Sequence, residues 1–112
     1  MNKLDFKKIK EFDNHKLVIR IEDKDAGLKG FIAIYNDNLG SPAVGGTRMF
    51  PYASEKDALI DVLKLSRAMT YKCAIARLPH GGAKGVIIGD PKKDKTEKLL
   101  KAYAKIVNSL KG

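Results

Sequence analysis

The 112-residue sequence has one cysteine, no tryptophan and no long apolar run. A lone Cys73 excludes an internal disulfide and any zinc site built on cysteine pairs, so no metal is expected. A reducing compartment is the default, and Cys73 is expected as a small buried filler. No stretch approaches the ~18 apolar residues of a membrane helix and the N-terminus has no signal-peptide core, which excludes a membrane partner of that kind and points to the cytoplasm. Acidic residues are the scarcer sign, 13 against 22 Lys and Arg, for a net charge of +9. The excess is scattered from Lys3 to Lys111 and interleaved with acids, as in Glu22-Asp23-Lys24-Asp25 and Asp94-Lys95-Thr96-Glu97-Lys98. That is the pattern of solvated faces, without the aromatic interleaving of a nucleic-acid surface, so no nucleic-acid partner is expected.

What is present suffices for one core: 44% of residues are hydrophobic and 31% charged, close to the globular average. The length fits one domain and excludes a nucleotide domain together with a substrate domain.

Residues 2–12 mix Leu4, Ile9 and Phe12 with charges, and Asn2 is placed to cap a short helix. Alternation predicts strands over 16–22 and 29–35, joined through the turn-forming residues 23–27 as an antiparallel pair. After a cluster of turn formers at 36–42, a third strand is expected over 43–50, interrupted by Gly45-Gly46 where a backbone or ligand comes close. Ser54 and Asp57 form a helix start, followed at helical spacing by Ala58, Leu59, Val62, Leu63, Ser66 and Met69. Strand-like pieces are expected over 71–78 and 84–88, around the loop 79–83. Asp94 and Glu97 repeat the capping pattern before a helix carrying Leu99, Leu100, Tyr103, Ile106, Val107 and Leu110. The expected fold is a single-domain α/β sandwich, a mixed sheet with packed helices and no Rossmann domain.

Two glycine-rich segments stand out, Gly45-Gly46-Thr47-Arg48 and Gly81-Gly82-Ala83-Lys84-Gly85. Neither has the spacing of a phosphate loop or a dinucleotide fingerprint. From the residues alone the commoner reading is two tight turns with an exposed lysine, since glycine pairs usually serve turns; the other is a lysine on backbone that a small ligand approaches closely. Lys72 lies in a largely apolar stretch, where an ammonium is paired, functional or snorkelling outward. Two lysines converging on one pocket lower each other's proton affinity, which makes an amine a usable base; spacing alone does not show whether Lys72 and Lys84 meet. His15 shows no partner, His80 is expected to face solvent, and Arg48 is expected in a structural ion pair or in contacts to main-chain carbonyls.

The run Leu78-Pro79-His80-Gly81-Gly82-Ala83-Lys84-Gly85-Val86-Ile87-Ile88-Gly89-Asp90-Pro91 resembles the active-site signature of the glutamate, leucine, phenylalanine and valine dehydrogenase family. Residues 39–49, Leu-Gly-Ser-Pro-Ala-Val-Gly-Gly-Thr-Arg-Met, and 68–72, Ala-Met-Thr-Tyr-Lys, resemble it too, in the same order and spacing. Residues 89–97 resemble the leucine-type members in particular, and the likeness runs from about residue 13 to residue 112.

The resemblance implies that residues 1–112 form a substrate-binding and dimerisation domain, whose partners are a small-molecule amino acid and further copies of the chain. The activity it implies is NAD-dependent oxidation of an amino acid to the 2-oxo acid and ammonia. By motif match Lys72 binds the substrate carboxylate and Lys84 is the catalytic lysine that activates water. Val44, Gly45, Gly46 and Met69 line the substrate site, Met69 reading equally as a core residue of the helix face. In glutamate-specific members a lysine precedes the glycine pair; Val44 there points to an uncharged side chain, with leucine or another branched-chain amino acid preferred. Residues 78–85 also share features of glutamate and phenylalanine members. The family's catalytic aspartate and cofactor domain come after the point matched by residue 112, so these residues alone are expected to be inactive. A rival reading is a non-catalytic oligomerisation or amino-acid-binding module.

Overall fold

The computed structural model describes residues 6–36, 43, 45–77 and 81–110. After a 3-10 turn at Phe6–Lys8 the chain forms β1 (Leu17–Asp23), β2 (Leu28–Ile34), β3 (Thr47–Phe50), α1 (Glu55–Ile75), β4 (Ala83–Ile88) and α2 (Glu97–Ser109). The strands make one mixed sheet in the order β1-β2-β4-β3. β1 and β2 pair antiparallel across a turn in which Gly27 takes φ +71°, the left-handed conformation glycine adopts without strain. β2 pairs antiparallel with β4, and β3 lies parallel to β4. A parallel pair needs a long crossover, and α1 supplies it.

Both sheet faces are covered, and side-chain alternation assigns them. Phe31, Ala33 and Val86 meet Ala58, Leu59, Val62 and Leu63 of α1 in one core. Ile21, Leu28, Ile32 and Ile87 meet Leu99 of α2 in the other. The expected α/β sandwich with a mixed sheet is therefore the architecture observed.

Several elements differ from their expected bounds. Residues 71–75 are the last turns of α1, not a strand. Thr70 Oγ1 donates to the Ser66 carbonyl at 3.1 Å and Cys73 is buried on the same stripe, so the helical period continues past Met69. A short apolar run is compatible with either element. Arg77 at φ 59° stops the helix, with no glycine to mark the stop. β3 begins only at Thr47, because Gly45 and Gly46 run against β4 outside the regular ladder. α2 is capped by Thr96, whose side chain accepts from Leu99 N–H, and not by Asp94. The Asp94 carboxylate instead takes Asp90 N–H at 2.8 Å and closes the preceding turn. Asn2 lies outside the described residues, and among the described residues of its segment only the 3-10 turn forms.

His15 has partners, contrary to the sequence expectation. It is buried, its Nε2 lies 2.9 Å from the Leu63 carbonyl and its Nδ1 accepts Asp13 N–H at 3.1 Å. A ring that accepts at Nδ1 and donates at Nε2 is neutral. Burial lowers its proton affinity below the usual value near 6.5. The unfolded chain therefore binds the proton more readily, and this site's stabilisation is present above about pH 6.5 and lost as pH falls through the lowered value. Urea unfolding from about pH 7.5 to about pH 5 should show that loss, and a His15→Gln variant should flatten the profile. Equal slopes in the two proteins would rule the device out.

Candidate active-site cleft

Each site residue is positioned by a regular element. Met69 and Lys72 sit one turn apart on the C-terminal part of α1, and Lys84 is the second residue of β4. The three line one cleft of about 430 Å³, with Leu65, Ala68, Tyr71 and Ile75 as its other walls. The two lysines that spacing could not relate thus share a cavity. Lys72 is exposed and three of the four other wall residues, Leu65, Ala68 and Ile75, are aliphatic, so the cleft offers ammonium groups beside apolar surface. That combination suits a small molecule with a carboxylate at one end.

The paired glycines complete one side. A Cβ on Gly46 would lie 3.4 Å from Lys84 Nζ, so this main chain runs alongside the amine. A Cβ on Gly45 would overlap the Ala83 carbonyl, and only glycine allows that approach. Gly45, Gly46 and Lys84 also line a smaller cavity of about 190 Å³ under α2. There the Tyr103 hydroxyl meets Thr47 Oγ1 at 2.8 Å, and burial raises the Tyr103 pKa. Val44 and His80 lie outside the described residues.

Two features of the site carried no sequence signal. The first is the tie between Thr70 and Gly82: Gly82 N–H donates to Thr70 Oγ1 at 2.9 Å. Each partner stands two residues before a cleft lysine, so this bond sets the spacing of Lys72 and Lys84. The second is a polar cluster beside the cleft. Arg67 Nε donates to the Tyr71 hydroxyl at 3.0 Å and pairs with Asp13 at 3.2 Å, while the Tyr35 hydroxyl donates to Asp13 at 2.8 Å. The Arg67 hydrogen bond lowers the Tyr71 pKa, whereas Asp13 pushes that of Tyr35 up to about 12. Residues from three separate segments build it, so no local pattern announces it. Arg48 makes the expected ion pair, to Asp61 at 3.7 Å, and lies over the Phe50 ring.

Among the described residues no group of three or more His, Cys, Asp or Glu side chains is placed to hold a metal, and no helix is long and apolar enough to cross a membrane. The strand-to-helix turns before α1 and α2 do not fit a dinucleotide. Neither carries a glycine fingerprint, and in the second Asp90 and Asp94 already occupy main-chain N–H groups where a pyrophosphate would need them.

Comparison with known proteins agrees with this geometry. A family model described as Glu/Leu/Phe/Val dehydrogenase, dimerisation domain, matches residues 14–112. A phenylalanine dehydrogenase of Caldalkalibacillus thermarum (strain TA2.A1) is 53% identical over 102 residues, covering 91% of this chain and 27% of that protein. A leucine dehydrogenase of Geobacillus stearothermophilus is 50% identical over 107 residues, covering 96% of this chain and 29% of its own length. The crystal structure of L-tryptophan dehydrogenase from Nostoc punctiforme superposes with a TM-score of 0.81 at 47% identity, over 87% of this chain and 28% of that one. The chain thus spans little more than a quarter of the length of these relatives.

Proposed function

Because the chain belongs to the Glu/Leu/Phe/Val dehydrogenase family, we propose that its residues form the substrate-side and assembly domain of an NAD-dependent amino-acid dehydrogenase, working in the cytoplasm as a homo-oligomer. The observation that carries this reading is the shared cleft of Lys72, Lys84 and Met69 with the Gly46 main chain beside the Lys84 amine.

In this reading Lys72 binds the α-carboxylate of the amino acid by a charge-assisted hydrogen bond from an ammonium free to turn toward it. Lys84, held on β4, takes a proton from the water that attacks the imino acid, and the glycine backbone leaves that water room. The aliphatic walls and Val44 favour an uncharged side chain, because a carboxylate buried there would lack a partner. Leucine or another branched-chain amino acid is the proposed substrate. The leucine and phenylalanine dehydrogenase names of its relatives support an uncharged side chain, at identities of 50% and 53%. The dinucleotide has no fitting site among the described residues, so the 112 residues by themselves are proposed to be inactive.

Titration of the purified chain with L-leucine, its 2-oxo acid and L-glutamate tests the reading. Leucine and the oxo acid should bind more tightly than glutamate, and Lys72→Ala should weaken them at least about tenfold, the worth of a hydrogen bond to a charged group. Unchanged affinity in Lys72→Ala would remove the assigned carboxylate site. Tighter binding of glutamate would overturn the substrate choice, and NADH formed from leucine by the chain alone would overturn its inactivity.

A further inference from the structure

The two halves of α1 are held differently. Its buried side chains are Ala58, Leu59, Val62, Leu63 and Ser66, and beyond these only Cys73, so the last turns have little apolar anchorage although they carry Tyr71 and Lys72. A helix end with few buried contacts opens locally at small cost. Thr70 ties one flank of these turns to Gly82. The other flank is tied to the segment that precedes β1. Arg67 Nε donates to the Tyr71 hydroxyl at 3.0 Å, one turn further along the helix, and lies 3.2 Å from Oδ2 of Asp13. The same oxygen accepts the Tyr35 hydroxyl at 2.8 Å, and the Tyr35 ring meets that of Tyr71 edge-on at 6.1 Å between centroids.

Asp13 stands on anchored backbone. Asn14 takes φ 54°, a left-handed conformation that asparagine tolerates, and this turn lets Asp13 N–H reach Nδ1 of the buried His15 at 3.1 Å. His15 is fixed in turn by the Leu63 carbonyl at 2.9 Å, and Phe12 packs against the α1-side core. The carboxylate thus reaches from a held segment to a part of the helix that the core does not hold. The Arg67 and Asp13 side chains are half exposed, where an ion pair adds little to global stability, so its effect falls on the position of the helix end. We infer that Asp13 is a positioning residue for the cleft: through Arg67 and Tyr71 it holds the last turns of α1 and so sets the direction from which the Lys72 ammonium meets the substrate carboxylate. The inference rests on the assignment of Lys72 above and adds to it a residue that does not line the cleft. Tyr71 is itself a wall of that cleft and the chain neighbour of Lys72, so whatever fixes its ring fixes both.

Hydrogen exchange of the 112-residue chain, read by NMR at single amides, tests this without a ligand. Asp13→Asn keeps an acceptor for the Tyr35 hydroxyl and removes the charge that holds Arg67. In that variant the amides of residues 71–75 should exchange at least about threefold faster, while those of residues 59–63 keep their rates. Acceleration spread evenly over α1, or none at all, would overturn the inference. Arg67→Met, which removes the group that bridges Asp13 and Tyr71, should give the same local pattern and decides the matter if Asp13→Asn fails to fold. Binding then connects the helix end to Lys72. Affinity for the 2-oxo acid of leucine should fall at least about threefold in Asp13→Asn, and no further when Asp13→Asn is added to Lys72→Ala, because the effect passes through that ammonium. An equal fall in both backgrounds would overturn the positioning role, as would full affinity in Asp13→Asn beside a weakened Lys72→Ala. Full affinity in Lys72→Ala itself would overturn the carboxylate assignment, and the exchange pattern would still decide whether Asp13 holds the helix end.

Discussion

Replacing Gly82 by alanine is expected to cost about 3 kcal/mol or more and to pull the two cleft lysines apart. A Cβ at this position would overlap the Thr70 main-chain nitrogen and hydroxyl and the Ser66 carbonyl, all parts of α1. None of these is the free end of a flexible side chain, so the helix or the start of β4 must move. The Gly82 to Thr70 hydrogen bond goes with that movement, leaving the N–H of a buried residue without its acceptor. Since Lys72 and Lys84 each lie two residues beyond this tie, displacement here changes the distance between them directly. Thermal unfolding should show a fall in Tm of more than about 10 °C for a domain of this size. Leucine binding by the fraction that remains folded should fall too. A Tm within a few degrees of the parent would mean that the helix retreats freely, and the tie would then not set the cleft.

Phe31→Ala is expected to remove about 3–5 kcal/mol, a large share of the stability of a domain this small. The ring is fully buried at the centre of the α1-side core and meets the Phe6 ring edge-on at 6.1 Å between centroids. It stands on β2 directly across from Val86 of β4, two residues from Lys84, so the floor of that strand rests on it. Truncation leaves a cavity walled by α1, β2 and β4, three elements that cannot collapse together because the sheet register holds them. Phe31→Leu, closer in volume, should cost less than about 1.5 kcal/mol. Urea unfolding at one fixed protein concentration separates the two cases, the fixed concentration being needed because association adds its own stability. Comparable losses in the two variants would show that the site repacks.

Short-range chemistry was legible along the chain. The β1 and β2 hairpin followed from alternation around a turn ending in Gly27, and the start of α1 from Ser54, whose hydroxyl accepts Asp57 N–H at 3.2 Å. The end of α1 was not legible, because Arg77 terminates it in a left-handed conformation with no glycine or proline to signal the stop. Residues 71–75 were therefore read as a strand, which placed Lys72 on the wrong element. The start of α2 was misplaced by two residues for a related reason: Asp94 and Thr96 are both good caps, and only the turn closed on Asp90 decides between them. His15 gave no hint of its partners because Leu63 is 48 residues away along the chain.

By itself the sequence determined the α/β class, the helix and strand periods, the glycine-rich segments, and through its three motifs the family. Those are properties of neighbouring residues, or of residue types in fixed order, and they survive without a fold. Tertiary structure alone decided that Lys72 and Lys84 share one cleft, that Gly82 and Thr70 set their spacing, and that β1 is left at the edge of the sheet. Each of these joins segments distant in the chain, where loop closure and packing against both sheet faces choose the pairing and no local preference reaches.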